Sequence, residues 1–445
     1  MNISLSASSQ DRRIAAAIAA RLEAEGHRIH VDGQPVKPAE GAGGEGAADP
    51  PGGTDGRAEV LLVLISAHAL RSHRLVQQFS ALALREVSGS RHRIVLLRAD
   101  DSPVPSHLSQ FTQIDLANGL DAGIDTLLRT LDAPEREAGA RHRNAQRDEV
   151  LAAHLGKLRA ALRAGRLSLV CGAGVSVDAG IPEWNLLLLN LLESMIELLS
   201  RDHALNLDRE AAEYLNRRHG ASSLILGRYL KNNLGKDYAR KVRDTLYSNE
   251  PSGCGLIDAI VDIARPERDG KPLDSIITFN FDALLEENLS RANIRNRAIY
   301  SEAVRHDPNE LPVYHVHGYL PRSGRIPEGV EIVFSEDAYH NQFIDPFSWS
   351  NLMQLNKLTQ NTCLFVGVSL TDPNLRRLLD VAWRKNPDKT IGHYAIKKLP
   401  RSQGAGSAFD DLARLLEEQD ANTLGVNVIW VEDYPEIPGI IRAIR

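Results

Sequence analysis

The 445-residue sequence predicts an α/β protein made of two parallel sheets, each covered by helices on both faces. Three observations lead there. Short apolar runs alternate with stretches of helical periodicity, polar residues follow the apolar runs at what would be strand carboxyl ends, and one charged segment divides the pattern in two. At 43% hydrophobic and 25% charged, the composition is that of a globular chain with material for more than one core.

The first half opens with a strand at Ile3-Ser4-Leu5, then a helix over 12–24 that Gly26 stops, then a strand from Arg28 to Val31. Residues 60–65 form an unbroken run of Val, Leu and Ile, followed by a helical stretch over 75–87 and strands near 93–97 and 114–116. Residues 38–56 are crowded with Gly, Ala, Pro and acids, as expected of a disordered loop tip. Residues 134–147 are strongly charged and nearly free of large apolar side chains, and read as an exposed helix or linker. The expected organisation is therefore a domain over 1–133, a linker over 134–147 and a second domain over 148–445.

Charge and composition narrow the function. A formal net charge of −6 argues against dedicated nucleic-acid binding. No run approaches the roughly 18–20 apolar residues of a membrane span, so no membrane partner is expected. The first residues lack the basic and apolar regions of a secretory signal. Cys171, Cys254 and Cys363 are odd in number and widely spaced, which suits a reduced, cytoplasmic protein and offers no CxxC pair for a metal.

The second half carries the chemistry. A buried strand, Leu167 to Cys171, runs into Gly172-Ala173-Gly174-Val175-Ser176 and on through Ile181-Pro182-Glu183-Trp184. Gly172 and Gly174 would let a pyrophosphate approach the backbone amides, with Ser176, Ala179 and Gly180 continuing as a helix start whose positive end faces the phosphates. The alternative is that the glycines serve sterics alone. Three further strands end in polar tips: 274–282 in Asn280 and Asp282, 313–320 in His317-Gly318, and 363–375 in Gly367, Ser369 and Asp372. Carboxyl ends of strands in an open α/β sheet converge on one crevice, so these tips are expected to meet one ligand. Each has a plainer reading. Asn280 could be a strand-end turn residue, Trp184 could pack the core, and Asp372 could cap a following helix. His315 rivals His317; two apart on one strand they would share a face, with His315 the deeper, core-packed histidine.

Two family resemblances attach to these residues. Residues 3–12, 26–32 and Val63-Leu64-Ile65-Ser66 resemble a bacterial Toll/interleukin-receptor (TIR) domain, which implies a flavodoxin-like parallel sheet. Catalytic TIR domains carry a glutamate in the helix after the middle strand. Here Gln78 or Phe79 stands in that place, and Glu86, two turns on, reads as a solvated face residue, so the resemblance implies assembly or sensing rather than catalysis. Further on, Gly-Ala-Gly-x-Ser-x-x-x-Gly-Ile-Pro, Thr-x-Asn-x-Asp, His-Gly-x-Leu and Gly-x-Ser-x-x-Asp-Pro, in that order, resemble the sirtuin superfamily. More narrowly they resemble the sirtuin-like NAD hydrolases of bacterial antiphage defence.

That resemblance implies a Rossmann-type domain that binds NAD as substrate, with Asn280 holding the nicotinamide ribose and a water, and His317 as general base. Gly172, Ala173, Gly174, Ser176, Ile181 and Trp184 would line the cofactor site, Asp282 would orient ribose or Asn280, and Gly367, Ser369 and Asp372 would receive the adenosine half. The sequence departs from deacylating sirtuins in lacking their four-cysteine zinc module, and in carrying Asn185 where they have arginine. A mostly helical insertion over about 187–255 would form a lid instead. The expected activity is release of nicotinamide and ADP-ribose, without a metal, in a self-associating protein triggered by a phage component or partner protein. The alternatives are an NAD-dependent protein deacylase and a non-catalytic sensor of an NAD derivative.

Overall fold

The computed structural model describes residues 1–31, 60–71, 93–102, 104, 108, 111–132, 139–203, 209–219, 223–266, 272–328, 330–386, 392–401 and 407–445. The loop expected at 38–56 and the helix over 75–87, with Gln78, Phe79 and Glu86, lie outside these residues. So do residue 133 and residues 134–138 at the start of the expected linker, whose remainder is the beginning of a helix, Gly139–Arg163. The chain forms two compact units, Met1–Leu151 with Pro400–Asn422, and Ala152–Leu399 with Thr423–Arg445.

The first unit holds a five-stranded parallel sheet of β1 (Asn2–Ser6), β2 (Arg28–Val31), β3 (Val60–Ile65), β4 (Arg93–Arg98) and β5 (Thr112–Asp115). Its order, β2-β1-β3-β4-β5, is that of flavodoxin-like sheets. Side chains alternate across a strand, so β3 feeds two cores. Leu62 and Leu64 pack with Leu5, Val95 and Leu97 beneath the helices Arg12–Ala24 and Leu120–Asp132, which contribute Ile18, Leu22 and Leu127. On the other face, Leu61, Val63 and Ile65 pack with Ile94, Leu96, Phe111 and Leu415. Leu415 comes from the helix Ser407–Thr423, far along the chain and between two strands of the second sheet.

The second unit holds seven strands: β6 (Leu167–Cys171), β7 (Ser275–Thr278), β8 (Asn296–Ile299), β9 (Leu311–His315), β10 (Thr362–Val366), β11 (His393–Lys398) and β12 (Val426–Val431). All described pairings are parallel, in the order β12-β11-β10-β6-β7-β9-β8. From β6 the chain adds β7, then β8 at the edge and β9 between the two, and returns to the other side of β6 for β10 to β12. The reversal falls between β6 and β10, and that is where open parallel sheets bind ligands, at strand carboxyl ends. Four helices, Trp184–His203, Arg209–His219, Ser223–Leu234 and Tyr238–Leu246, fill most of the expected insertion between β6 and β7. They share buried Leu191, Leu192, Ala212, Leu226, Leu230 and Val242. No helix among the described residues is long and apolar enough to cross a membrane.

Several local expectations are corrected. No α-helix starts directly after the Gly172–Ser176 turn. A single 3-10 turn, Ala173–Val175, is followed by further turns, and the α-helix begins only at Trp184. Gly180, at φ +105°, and Pro182 keep the intervening backbone out of a helix. The strand expected over 313–320 ends at His315, so His317 lies beyond it and the two histidines do not share a strand face.

Candidate active site

Register sets the site. Val366, Cys171, Thr278 and His315 are neighbours across β10, β6, β7 and β9, so four strands finish at one level. Beyond it the ladder continues for one bond per pair: Gly172 N–H donates to Val366 O (3.0 Å), Phe279 N–H to Cys171 O (3.0 Å) and Val316 N–H to Thr278 O (3.1 Å). Each chain then turns away, and the sequence-predicted polar tips fall on these four departing loops.

The glycine-rich turn after β6 packs against the turn after β10. Gly174 N–H donates to Gly367 O (3.2 Å), and a Cβ on Gly172 would stand 2.4 Å from the same oxygen. Gly367 itself has φ +65°, and a Cβ there would stand 2.7 Å from Val175 N and 2.9 Å from Gly174 C. Loop-to-loop contact at the switch point is therefore a sufficient reason for all three glycines, the steric reading left open in the sequence. Ala173 and Gly174 remain exposed at the crest of the turn, whereas Ser176 and Ile181 are buried.

Ser176 joins this turn to the end of β7. Asn280 Nδ2 donates to Ser176 Oγ (3.1 Å), and Ser176 Oγ donates to Asp282 Oδ1 (3.3 Å). Asp282 Oδ1 also accepts from Leu284 N–H (3.1 Å) at the start of the helix Leu284–Arg291. Burial raises the Asp282 carboxyl to about 6, against the hydrogen bond from Leu284. Asn280 N–H donates to Thr278 Oγ1 (3.1 Å), and its carbonyl accepts from His315 Nδ1 (3.0 Å). His315 is thus not simply packed in the core. Its Nε2 meets Glu286 Oε1 at 2.5 Å, and Glu286 is itself buried.

His317 is buried at the mouth of β9, its ring edge-on to Phe279 (centroids 4.7 Å apart) and near Tyr339 (5.6 Å). Its Nε2 lies 3.6 Å from Asp372 Oδ2, too long for a hydrogen bond but close enough for charge to matter. Burial lowers the His317 pKa, and Asp372 opposes that shift. Gly318 follows at φ +112°, where a Cβ would stand 2.6 Å from Glu331 O, so only glycine suits the turn that presents His317. Asp372 does two things at once. Its Oδ1 caps the helix Pro373–Lys385 by accepting from Leu375 N–H (2.7 Å), while Oδ2 accepts from Tyr339 OH (2.6 Å) beside His317.

The structure therefore brings Ser176, Asn280 and Asp282 into one hydrogen-bonded cluster and sets His317 beside Asp372. Ser369 is exposed and bonded to Thr371 Oγ1 (2.7 Å), away from both groups of contacts. Trp184 is half-buried at a helix start, its ring 4.5 Å from that of Phe334. Sequence reasoning missed Glu286 and Tyr339, which read as ordinary residues of short helices; only the nearness of Glu286 in sequence to the Asn-x-Asp tip could have drawn notice to it. Cys171 is fully enclosed and raised to about 12 by burial, so it offers no thiolate. Among the described residues no group of three or more His, Cys, Asp or Glu side chains could hold a metal ion.

Comparison with known proteins places these features. Residues 3–128 match the TIR domain family, and residues 274–422 match the SIR2-like domain family, which takes in Asn280, Asp282, His317, Gly367 and Asp372. The glycine-rich turn after β6 precedes the second match. The NAD(+) hydrolase ThsA of Enterococcus faecium is 24% identical over 299 residues, covering 64% of this chain and 56% of that protein. The chain thus spans little more than half the length of this relative. Along the chain, similarity to the TIR domain family thus precedes similarity to the SIR2-like domain family.

Proposed function

With a TIR domain and a SIR2-like domain joined in one chain, we propose that the SIR2-like unit binds NAD and hydrolyses its nicotinamide–ribose bond, giving nicotinamide and ADP-ribose. The observation that supports this reading is that Asn280 and His317 follow the ends of the adjacent strands β7 and β9, with Asn280 bonded to Ser176 from the turn after β6 and His317 beside Asp372 from the loop after β10. Bond cleavage leaves a cation-like ribose carbon. Asn280, with Nδ2 given to Ser176, has its amide oxygen to offer a ribose hydroxyl or the attacking water. Burial keeps His317 neutral, as a general base must be, and Asp372 stabilises the imidazolium once the proton is taken. Ala173 and Gly174, exposed at the crest of the turn, would face the pyrophosphate, with the Ala173 amide as donor because that of Gly174 is bonded to Gly367 O; Ile181, Trp184, Gly367 and Ser369 complete the proposed NAD-binding set.

The proposal extends to physiology: the activity serves antiphage defence by depleting NAD, and the TIR domain gates it through self-association or a phage-derived or partner-protein trigger. The test is nicotinamide release from NAD by purified full-length protein. Asn280→Ala and His317→Ala should each lower the rate by a factor of about 10² to 10⁴ while thermal unfolding stays cooperative. Wild-type rates in both variants would overturn the site. Cleavage that requires an acyl-lysine peptide would turn the reading to deacylation, and binding without turnover would turn it to sensing.

A further inference from the structure

We propose that His315, paired with Glu286, is a positioning residue for the NAD-cleaving site: the pair fixes the backbone of Asn280 and, through it, the direction in which Asn280 addresses the substrate. This rests on the NAD-hydrolase reading of that site.

Asn280 is held by its hydrogen bonds. Beyond Phe279 the backbone leaves the sheet, so both main-chain polar groups of Asn280 need partners outside the ladder. Its N–H takes Thr278 Oγ1, and its carbonyl takes His315 Nδ1. With Nδ2 bonded to Ser176, Asn280 is held at three points, and His315 supplies the one that ties it to β9. A carbonyl oxygen only accepts, so His315 Nδ1 carries a proton. Nε2 faces a carboxylate oxygen at 2.5 Å, which a second ring proton satisfies.

His315 is thus an imidazolium held by Glu286. Burial works against that charge, but Glu286, the Asn280 carbonyl and Asp282 outweigh it and raise the histidine's pKa. The groups facing the ring are Glu286 from the helix Leu284–Arg291, Asp282 from the loop after β7, and Tyr319, whose ring centroid is 4.6 Å away. A buried ion pair is a poor way to gain stability, since apolar side chains of similar volume often serve as well. Here each ring nitrogen has a defined task, and one of those tasks is to hold Asn280.

Glu286→Gln keeps an acceptor oxygen but removes the charge, so the ring loses its second proton more readily; with the remaining proton on Nε2, toward the Gln oxygen, Nδ1 no longer donates to the Asn280 carbonyl. In Glu286→Gln the kcat for NAD cleavage should fall on the order of 10- to 100-fold above neutral pH, as for an active-site misplacement of about 1 Å, with little change in KM. The loss should recede as pH falls and the ring regains its second proton. His315→Asn should lose kcat at every pH.

A readout independent of turnover is the ¹⁵N spectrum of histidine-labelled full-length protein, assigned with His315→Asn. Both ring nitrogens of His315 should be protonated at neutral pH in the wild type, and not in Glu286→Gln. An active wild type whose Glu286→Gln variant keeps its kcat and pH profile would overturn the positioning role alone, as would a wild-type His315 found neutral at pH 7. A wild type that does not cleave NAD would overturn the underlying reading, and the positioning role with it.

Discussion

Gly172→Ala isolates the close approach of the two loops at the switch point. Gly172 has φ −116° and ψ −174°, extended backbone that alanine adopts freely, so the substitution carries no dihedral penalty. The whole effect is steric. The new Cβ would stand 2.4 Å from Gly367 O and 3.0 Å from both Gly367 C and Val368 Cγ2, about 1 Å inside ordinary contact with the first. The obstacle is backbone, and it cannot rotate away. The five-residue pairing of β6 with β10 and the Gly172–Val366 hydrogen bond pin both loops at their roots. Overpacking of this kind costs about 1–3 kcal/mol. At about 2–4 °C per kcal/mol for a domain of this size, the unfolding midpoint of the second unit should fall by roughly 2–12 °C. The displaced turn carries Ser176, the partner of Asn280, and a shift near 1 Å at a catalytic group lowers the rate on the order of 10²-fold. Differential scanning calorimetry and nicotinamide release read the two effects separately. Gly156→Ala is the control: Gly156 lies in the helix Gly139–Arg163 with nothing within 4 Å of an added methyl group, and alanine there should stabilise by about 0.5–1 kcal/mol. If Gly172→Ala retains wild-type stability and rate, close loop contact is not the reason for glycine at 172.

Two further outcomes follow from other contacts. Asp372→Asn keeps a helix-capping oxygen for Leu375 but removes the charge that raises the His317 pKa; that pKa falls further, so activity that needs the neutral base should persist to lower pH than in wild type. A kcat/KM profile measures this, and an acid limb that stays put, or moves up, would remove Asp372 as the partner of His317. Leu415→Ala, at a site 1% exposed, should cost about 2–5 kcal/mol and weaken hydrogen-exchange protection in β3 and β4 of the first unit. Unchanged exchange in those strands would show that Leu415 does not belong to their core.

Much of this was legible in the sequence because the relevant signals are local. An unbroken run such as Val60–Ile65 announces a buried strand, and polar residues just past apolar runs mark strand carboxyl ends, which is how Asn280, Asp282, His317 and Asp372 could be singled out. What stayed hidden depends on distance or on single dihedral angles. Glu286 looks like any acid on an amphipathic helix until folding brings it to His315, 29 residues later. Asp372 reads equally as cap or ligand, and only the geometry shows it capping a helix with one oxygen while the other sits beside His317. The Gly172–Ser176 turn has the composition of a helix start, yet the positive φ of Gly180 and the proline at 182 postpone the helix to Trp184. Nothing in the local sequence of the helix Ser407–Thr423 says which sheet Leu415 will cover.

That last contact bears on how the chain is made. Synthesis runs from the N-terminus at about 5–20 residues per second, and domains ordinarily fold as they emerge. Leu61, Val63, Leu96 and Phe111 are present once residue 111 has been added, but Leu415 is not. Some three hundred residues must follow before it is, an interval on the order of tens of seconds. During that time one apolar face of the first sheet lacks a side chain that its finished core contains. The nascent first unit therefore lacks Leu415 until some three hundred further residues have been made, and ribosomes stalled between residues 132 and 407 should display a first unit that is more readily cleaved by protease than the same unit in the released protein.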